Sequence, residues 1–234
     1  MPFENYIERL SDTVSLPMVA VKGGSFLIGR GKGHQVSVPD FYVGQFLVTQ
    51  EVWMEIMGEN PSYFQGKDRP VEQVSWNDIV KEFLPRLSER TNKEYRLSSE
   101  SEWEYTARGG TDSDSFFYSG GKKLKEVGWY RDNSHGETKE VGQKLPNEFG
   151  IYDMSGNVDE WCSDYWHNES FKGPPSDGSV WVVGGDVTRR VIRGGAWSNS
   201  GGFCRLWIRF WGDVDKRSYS LGFRLSLSKS SLLI

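Results

Sequence analysis

The sequence is poor in several things at once. Among its 234 residues are only two cysteines, Cys162 and Cys204, and three histidines. Two cysteines exclude the dense disulfide scaffold of small secreted domains, leaving one bridge or two free thiols. His34, His135 and His167 are far apart and lack the i, i+4 spacing of a helical metal pair. No apolar run approaches the length of a membrane span. The chain begins Met1-Pro2-Phe3-Glu4-Asn5, with no basic segment leading into an apolar one, so no secretory signal is read there. Cationic excess is absent too. A net charge of −4 argues against nucleic acid as a partner, because phosphate recognition needs clustered lysine and arginine.

What is abundant is glycine, 27 residues, and aromatic side chains, at 14% with ten tryptophans. Such a chain turns often and is not a helix bundle. Three helices are still legible. Thr49 caps one that carries Val52, Trp53, Ile56 and Met57 on one side and stops at Gly58. Ser75 and Asp78 start a second, through Ile79, Phe83, Leu84 and Leu87, which Pro85 should kink. Ser99 and Glu102 form a capping box for the third, ended by Gly109-Gly110. Residues 1–16 read as a short helix through Tyr6 and Leu10. Met18–Val21 and Phe26–Gly29 read as a hairpin around Gly23-Gly24.

Helical periodicity vanishes after Gly110. Short strand-like pieces follow at Val180–Val183, Arg190–Arg193 and Leu221–Leu225, among long irregular stretches that usually carry function. With no linker and no repeat, residues 1–234 read as one α+β domain, loop-rich with a small antiparallel sheet. His135 and His167 are expected to be exposed in polar loops, and Lys122-Lys123-Leu124-Lys125 to be a solvated turn.

Six motifs then occur in order. They are Gly23-Gly24-Ser25-Phe26-Leu27-Ile28-Gly29, Pro70–Trp76, Tyr95–Tyr105, Pro146–Val158 with Glu160-Trp161, Arg193-Gly194-Gly195-Ala196-Trp197, and Leu221-Gly222-Phe223-Arg224. Together they resemble the formylglycine-generating-enzyme (sulfatase-modifying) family from about residue 18 to 227. The resemblance implies a C-type lectin-like fold of that type. It also implies two active-site thiols in the segment after Gly194-Gly195, able to hold Cu(I). Here the first of those positions falls on Asn199 and only the second on a cysteine, Cys204. The pair is incomplete, and catalysis is not expected.

Residues 193–225 are similar to the variable region of proteins diversified by retroelements, the treponemal variable protein type in particular. Ser, Asn, Tyr, Asp, Gly, Phe and Ile share codons that differ from an asparagine codon only at its adenines. Ser198, Asn199, Ser200, Phe203, Ile208, Phe210, Gly212, Asp213, Ser218, Tyr219 and Ser220 fit that set. Trp207 and Trp211 need other adenine-containing codons. The residues themselves agree with a contact surface: six aromatics lie between Trp197 and Tyr219, with a local charge of +2 in an acidic chain. Trp197 is expected in the core frame and Cys204 and Leu206 buried. Strand alternation would place Trp207, Arg209 and Trp211 on one face.

The resemblance further implies that Asp153 and Glu160, with the carbonyls of Gly156 and Val158, can hold calcium, whose hard character suits oxygen donors. The alternative, Glu160 hydrogen-bonded within the loop and no metal, stands beside it, and no cofactor is required. The reading is therefore a monomeric, non-catalytic ligand-binding display protein, at the cell surface or extracellular, taking varied protein or cell-surface targets and not inserting in the membrane. Its competitors are a thiol oxidase of the same family and a structural accessory module that buries the aromatic patch against a fixed partner.

Overall fold

The computed structural model describes residues 3–31, 33–110, 116–168 and 173–232. Two sheets carry the architecture. The first is antiparallel throughout and joins β1 (Tyr6–Arg9), β2 (Ser15–Val21), β5 (Phe41–Gly44), β11 (Leu225–Ser228) and β6 (Tyr95–Leu97), in that order. It ties the start of the described chain to its end. The second runs β10 (Leu221–Gly222), β7 (Asp159–Trp166), β8 (Asp186–Arg193) and β9 (Phe210–Asp213), with only the β10–β7 pairing parallel. A two-stranded piece, β3 (Gly24–Ile28) and β4 (His34–Val38), lies apart.

The three expected helices form, for the expected reasons. In α1 (Gln50–Met57) the Thr49 hydroxyl accepts from Val52 N at 3.3 Å, and Gly58 closes the end at φ 82°. Ser75 and Asp78 exchange bonds as a full capping box on the short α2 (Trp76–Asp78). A π-turn, Ile79–Phe83, then leads into α3 (Leu84–Thr91), so the ladder widens just before Pro85, which has no N–H to donate. The α4 helix (Glu100–Ala107), capped by Ser99 with Glu102, is buried on every side. Its charged residues therefore face neighbours, not water. A fourth helical turn, α5 (Leu124–Val127), lies where no periodicity was visible, with Leu124 and Val127 buried and the flanking lysines exposed.

Several expectations are corrected. Residues 6–9 form β1, alternating half-buried and exposed, not a helix. Met18–Val21 and Phe26–Ile28 are not a hairpin, since β2 pairs with β1 and β5 while β3 pairs with β4. Gly23 is there for close approach: a Cβ on it would lie 2.3 Å from the Val38 carbonyl oxygen, and its N–H donates to Asp40 at 3.0 Å. Val180–Val183 is not a strand. Trp181 N donates to the Asp164 carboxylate at 2.9 Å, and the Trp181 ring stacks on His167 at 3.6 Å. His167 is consequently buried, with Nδ1 and Nε2 at 3.0 and 3.1 Å from the carbonyls of Tyr165 and Val183. His135 is exposed, as expected.

Two buried arginines bracket the 193–225 segment. Arg193, fully buried at the end of β8, reaches Glu104 and the carbonyls of Leu206 and Ile208, the last two at 2.8 Å, with its guanidinium over the Trp103 ring. Arg224 donates to both Glu160 oxygens at 3.0 Å and to the carbonyls of Gly44 and Tyr152 at 2.9 and 2.8 Å. Desolvating each charge costs several kcal/mol, so removing one partner leaves the other stranded. Glu160→Gln is expected to lower unfolding stability by about 3–5 kcal/mol. Urea denaturation measures this; a loss under about 1 kcal/mol, the range of exposed pairs, would show that the pair is not a buried tie.

Candidate functional site

The segment leaves the second sheet through Gly194 and Gly195, at φ 97° and 73°. At Gly195 a Cβ would lie 2.8 Å from Cys204 Sγ, so the backbone fits only without a side chain. Asn199 is a pin: its side-chain oxygen accepts from Ala196 N at 2.8 Å, and its carbonyl accepts from Arg131 N at 3.0 Å. Ser198 and Ser200 are half-buried beside it. A 3₁₀ turn, Gly201–Cys204, lifts Phe203 to the surface, 48% exposed, while Cys204 and Leu206 are buried as expected.

The expected alternation over 207–211 does not occur. Ile208 N bonds back to Arg205 O at 3.1 Å, a turn, and the strand begins only at Phe210. Trp207 therefore packs on Phe117 and under Arg30, with ring and guanidinium 5.7 and 4.9 Å away. Trp211, 40% exposed, carries Arg189 at 3.8 Å. Arg209 turns inward instead, donating to both oxygens of buried Glu100 at 2.5 and 2.8 Å. Burial opposes ionisation of Glu100, but Arg209 and Arg193 overcome it and hold the carboxyl below its ordinary range. Ile208 is half-buried. Asp213 is exposed, and Gly212 is buried with no space for a Cβ, which would meet the Trp161 ring at 2.7 Å.

Between these pieces lies a small open cavity of about 150 Å³. Five of the expected residues line it: Asn199, Phe210, Trp211, Ser218 and Ser220. Four that were not expected there also do, the apolar Ile192 and Leu221 and the charged Asp159 and Lys216. Burial pushes the Asp159 carboxyl up to about 7, against the pull of Lys216 and of a hydrogen bond from Gly195. Beside the cavity is an aromatic platform. Trp197 is half-buried, not core, because its indole N–H donates to Tyr219 O at 3.0 Å and holds the ring at the surface. Tyr219, 49% exposed, lies 5.8 Å from Trp197 and 6.1 Å from Tyr63. Phe64 completes the group at 5.3 Å from Trp197.

Tyr63 and Phe64 come from the loop after α1, outside any segment that sequence reasoning singled out. The available signal was two adjacent large rings in a polar loop, which would be expected to find an apolar neighbour. The loop is held from below by Glu72, fully buried, which accepts from Phe64 N at 2.8 Å. Burial raises its carboxyl.

The residues expected to hold calcium do not fit the ion. Both Glu160 oxygens are taken by Arg224. Asp153 is buried at φ 60°, with one oxygen accepting from Gly142 N at 2.8 Å and the other unpartnered. Gly156 and Val158 are buried nearby. Burial raises the Asp153 carboxyl to about 6, against the hydrogen bond from Gly142 and the charge of Arg224. Among the described residues, no group of three His, Cys, Asp or Glu side chains is placed to hold a metal.

Residues 8–229 match the sulfatase-modifying factor enzyme 1-like domain. The chain belongs to that family. The fold is the C-type lectin-like fold of the formylglycine-generating-enzyme type, of mixed α and β content with small sheets. "Treponema denticola variable protein 1" is similar at 29% identity and a TM-score of 0.88, with 96% of this chain and 99% of that one covered. A relative named "Chaperone protein LppX", from Paenibacillus barcinonensis, is 36% identical over 80% of this chain and 81% of its own length. The formylglycine-generating enzyme of Mus musculus is 31% identical over 86% of this chain, which spans only 57% of that enzyme.

Within this sulfatase-modifying-factor-like domain the two thiols are free, buried and in different apolar clusters. Burial raises the Cys162 thiol well above its usual range and lifts Cys204 to about 12, helped by the charge of Asp159. The thiolate is the reactive form. Neither cysteine should therefore react with a disulfide reagent at pH 8 in the folded protein, and both should react once urea unfolds it. Rapid labelling of Cys204 in the native state would contradict this burial and restore the case for thiol chemistry.

Proposed function

We propose that this protein is a non-catalytic ligand-binding display protein whose surface over residues 193–225 is diversified by retroelement mutagenesis to recognise protein or cell-surface targets, at the cell surface or outside the cell. One observation carries the reading. Phe203, Trp211 and Tyr219 stand exposed on a segment whose two ends are locked by buried arginines. Rigid rings offer contact area at low entropic cost, and the serines among them offer adaptable hydrogen bonds. Burying such a ring contributes roughly 1.5–3 kcal/mol, against an association cost of about 4–15 kcal/mol. Several rings and polar contacts must therefore act together. The similarity to a variable protein over almost the whole chain supports this reading, and so does the lack of a second thiol beside Cys204.

A fixed interface is the competing reading, favoured by the relative named as a chaperone. Sequencing the locus across many isolates separates the two. Diversification predicts substitutions concentrated in codons 198–220 at adenine-templated positions, a near-repeat of the coding segment nearby, and fixed codons for Gly194, Gly195, Gly222, Phe223 and Arg224. A segment no more variable than the rest of the gene would sink diversification and leave the fixed interface.

A further inference from the structure

The cavity between β9 and the 218–220 turn has a feature that the aromatic surface does not explain. A carboxylate stands in its wall. Asp159 is anchored through its backbone N–H, which donates to Ser220 O at 2.8 Å, and its carboxylate accepts a hydrogen bond from the backbone of Gly195. Its Oδ1 is shielded from solvent and has no hydrogen-bond partner. An unpartnered buried acceptor is costly, more so when charged, and a donor entering the cavity would satisfy it. The described ion pairs do not join Asp159 to Lys216, although both line the cavity. The Lys216 stem passes over Gly212, and the residue as a whole is exposed.

The other walls are Phe210 and Trp211, with Ser218 and Ser220 at one side. Trp211 already carries a guanidinium, that of Arg189, at 3.8 Å, so a ring of this wall is oriented for cations. At about 150 Å³ the space admits the end of one side chain and is too small for a loop.

We infer that this cavity receives a lysine or arginine side chain of the protein ligand, with Asp159 accepting from its cationic head, Phe210 and Trp211 flanking it, and Lys216 moving out toward solvent. This rests on the ligand-binding reading above and gives it a chemical class. An anion would meet Asp159 unfavourably. A neutral polyol would satisfy the oxygen but gain nothing from the charge. Only a cation uses the acceptor, its charge and the rings together. Asp159 lies outside the 198–220 window, so it is a constant anchor beneath a changing surface.

The test is titration of the intact protein at pH 8.5, where the Asp159 carboxyl is ionised and arginine still charged, with Nα-acetyl-L-arginine amide, followed by tryptophan fluorescence, against its neutral isostere Nα-acetyl-L-citrulline amide. Saturable millimolar binding of the arginine probe is expected, with the citrulline probe about tenfold weaker. Asp159→Asn, which keeps an oxygen for the Gly195 bond, should remove that preference. Lys216→Met, which removes the competing ammonium, should tighten arginine binding. Equal binding of the two probes, no saturation with either, or an Asp159→Asn protein that keeps the preference would overturn the assignment. If Asp159→Asn fails to fold, Lys216→Met decides alone, since unchanged or weaker binding contradicts it. A diversified locus without arginine binding rejects only the pocket; arginine binding with invariant codons rejects only the diversification.

Discussion

The bidentate contact between Arg224 and Glu160 is the constraint on which the rest of the molecule depends. Both side chains are essentially inaccessible. The guanidinium also accounts for the carbonyls of Gly44 and Tyr152, so one side chain ties β5, the 146–158 loop, β7 and the approach to β11. A charge buried this far from water persists only when it is paired and hydrogen-bonded. Arg193 holds the other end of the segment through its two terminal nitrogens, against Glu104 and two carbonyls, with its Nε 3.5 Å from Glu100. The result is a stretch of chain fixed at both ends by interactions that involve none of its outward-facing side chains. Such a stretch can change its surface without changing its frame.

Local chemistry was legible wherever a helix end was closed by its own residues. Thr49, Ser75 with Asp78, and Ser99 with Glu102 each act within three residues, so the sequence alone discloses them. The strands were legible only where pairing did not matter. Gly23-Gly24 looks like a hairpin turn until Val38 and Asp40 are seen to crowd it, and nothing near residue 23 announces them. Trp181 has strand composition, but its N–H is claimed by Asp164 and its ring by His167. Those are long-range choices, and a period of two along the chain cannot register them.

The surface was half legible for the same reason. An aromatic-rich, locally basic run in an acidic chain points to contact, and Phe203, Trp211 and Tyr219 are exposed accordingly. Gly212 fits the codon pattern equally well, yet it is a packing position under Trp161. Arg209 shares the run but serves Glu100 inside. Tyr63 and Phe64 reach the same surface from more than a hundred residues away, and Asp159 enters the cavity from the strand opposite. The site is thus a meeting of the 193–225 segment with residues from elsewhere in the chain, and only the first of these has a signature in sequence.

The central claim is that frame and surface are separable within residues 193–225. A saturation mutagenesis scan read out by the amount of folded protein tests this most directly. The account predicts that most substitutions at Phe203, Trp211, Asp213 and Tyr219 leave folded protein near the wild-type amount, while those at Arg193, Gly195, Gly222 and Arg224 abolish it. If the exposed aromatic positions prove as intolerant as Arg224, the segment is part of the core and the display account is wrong.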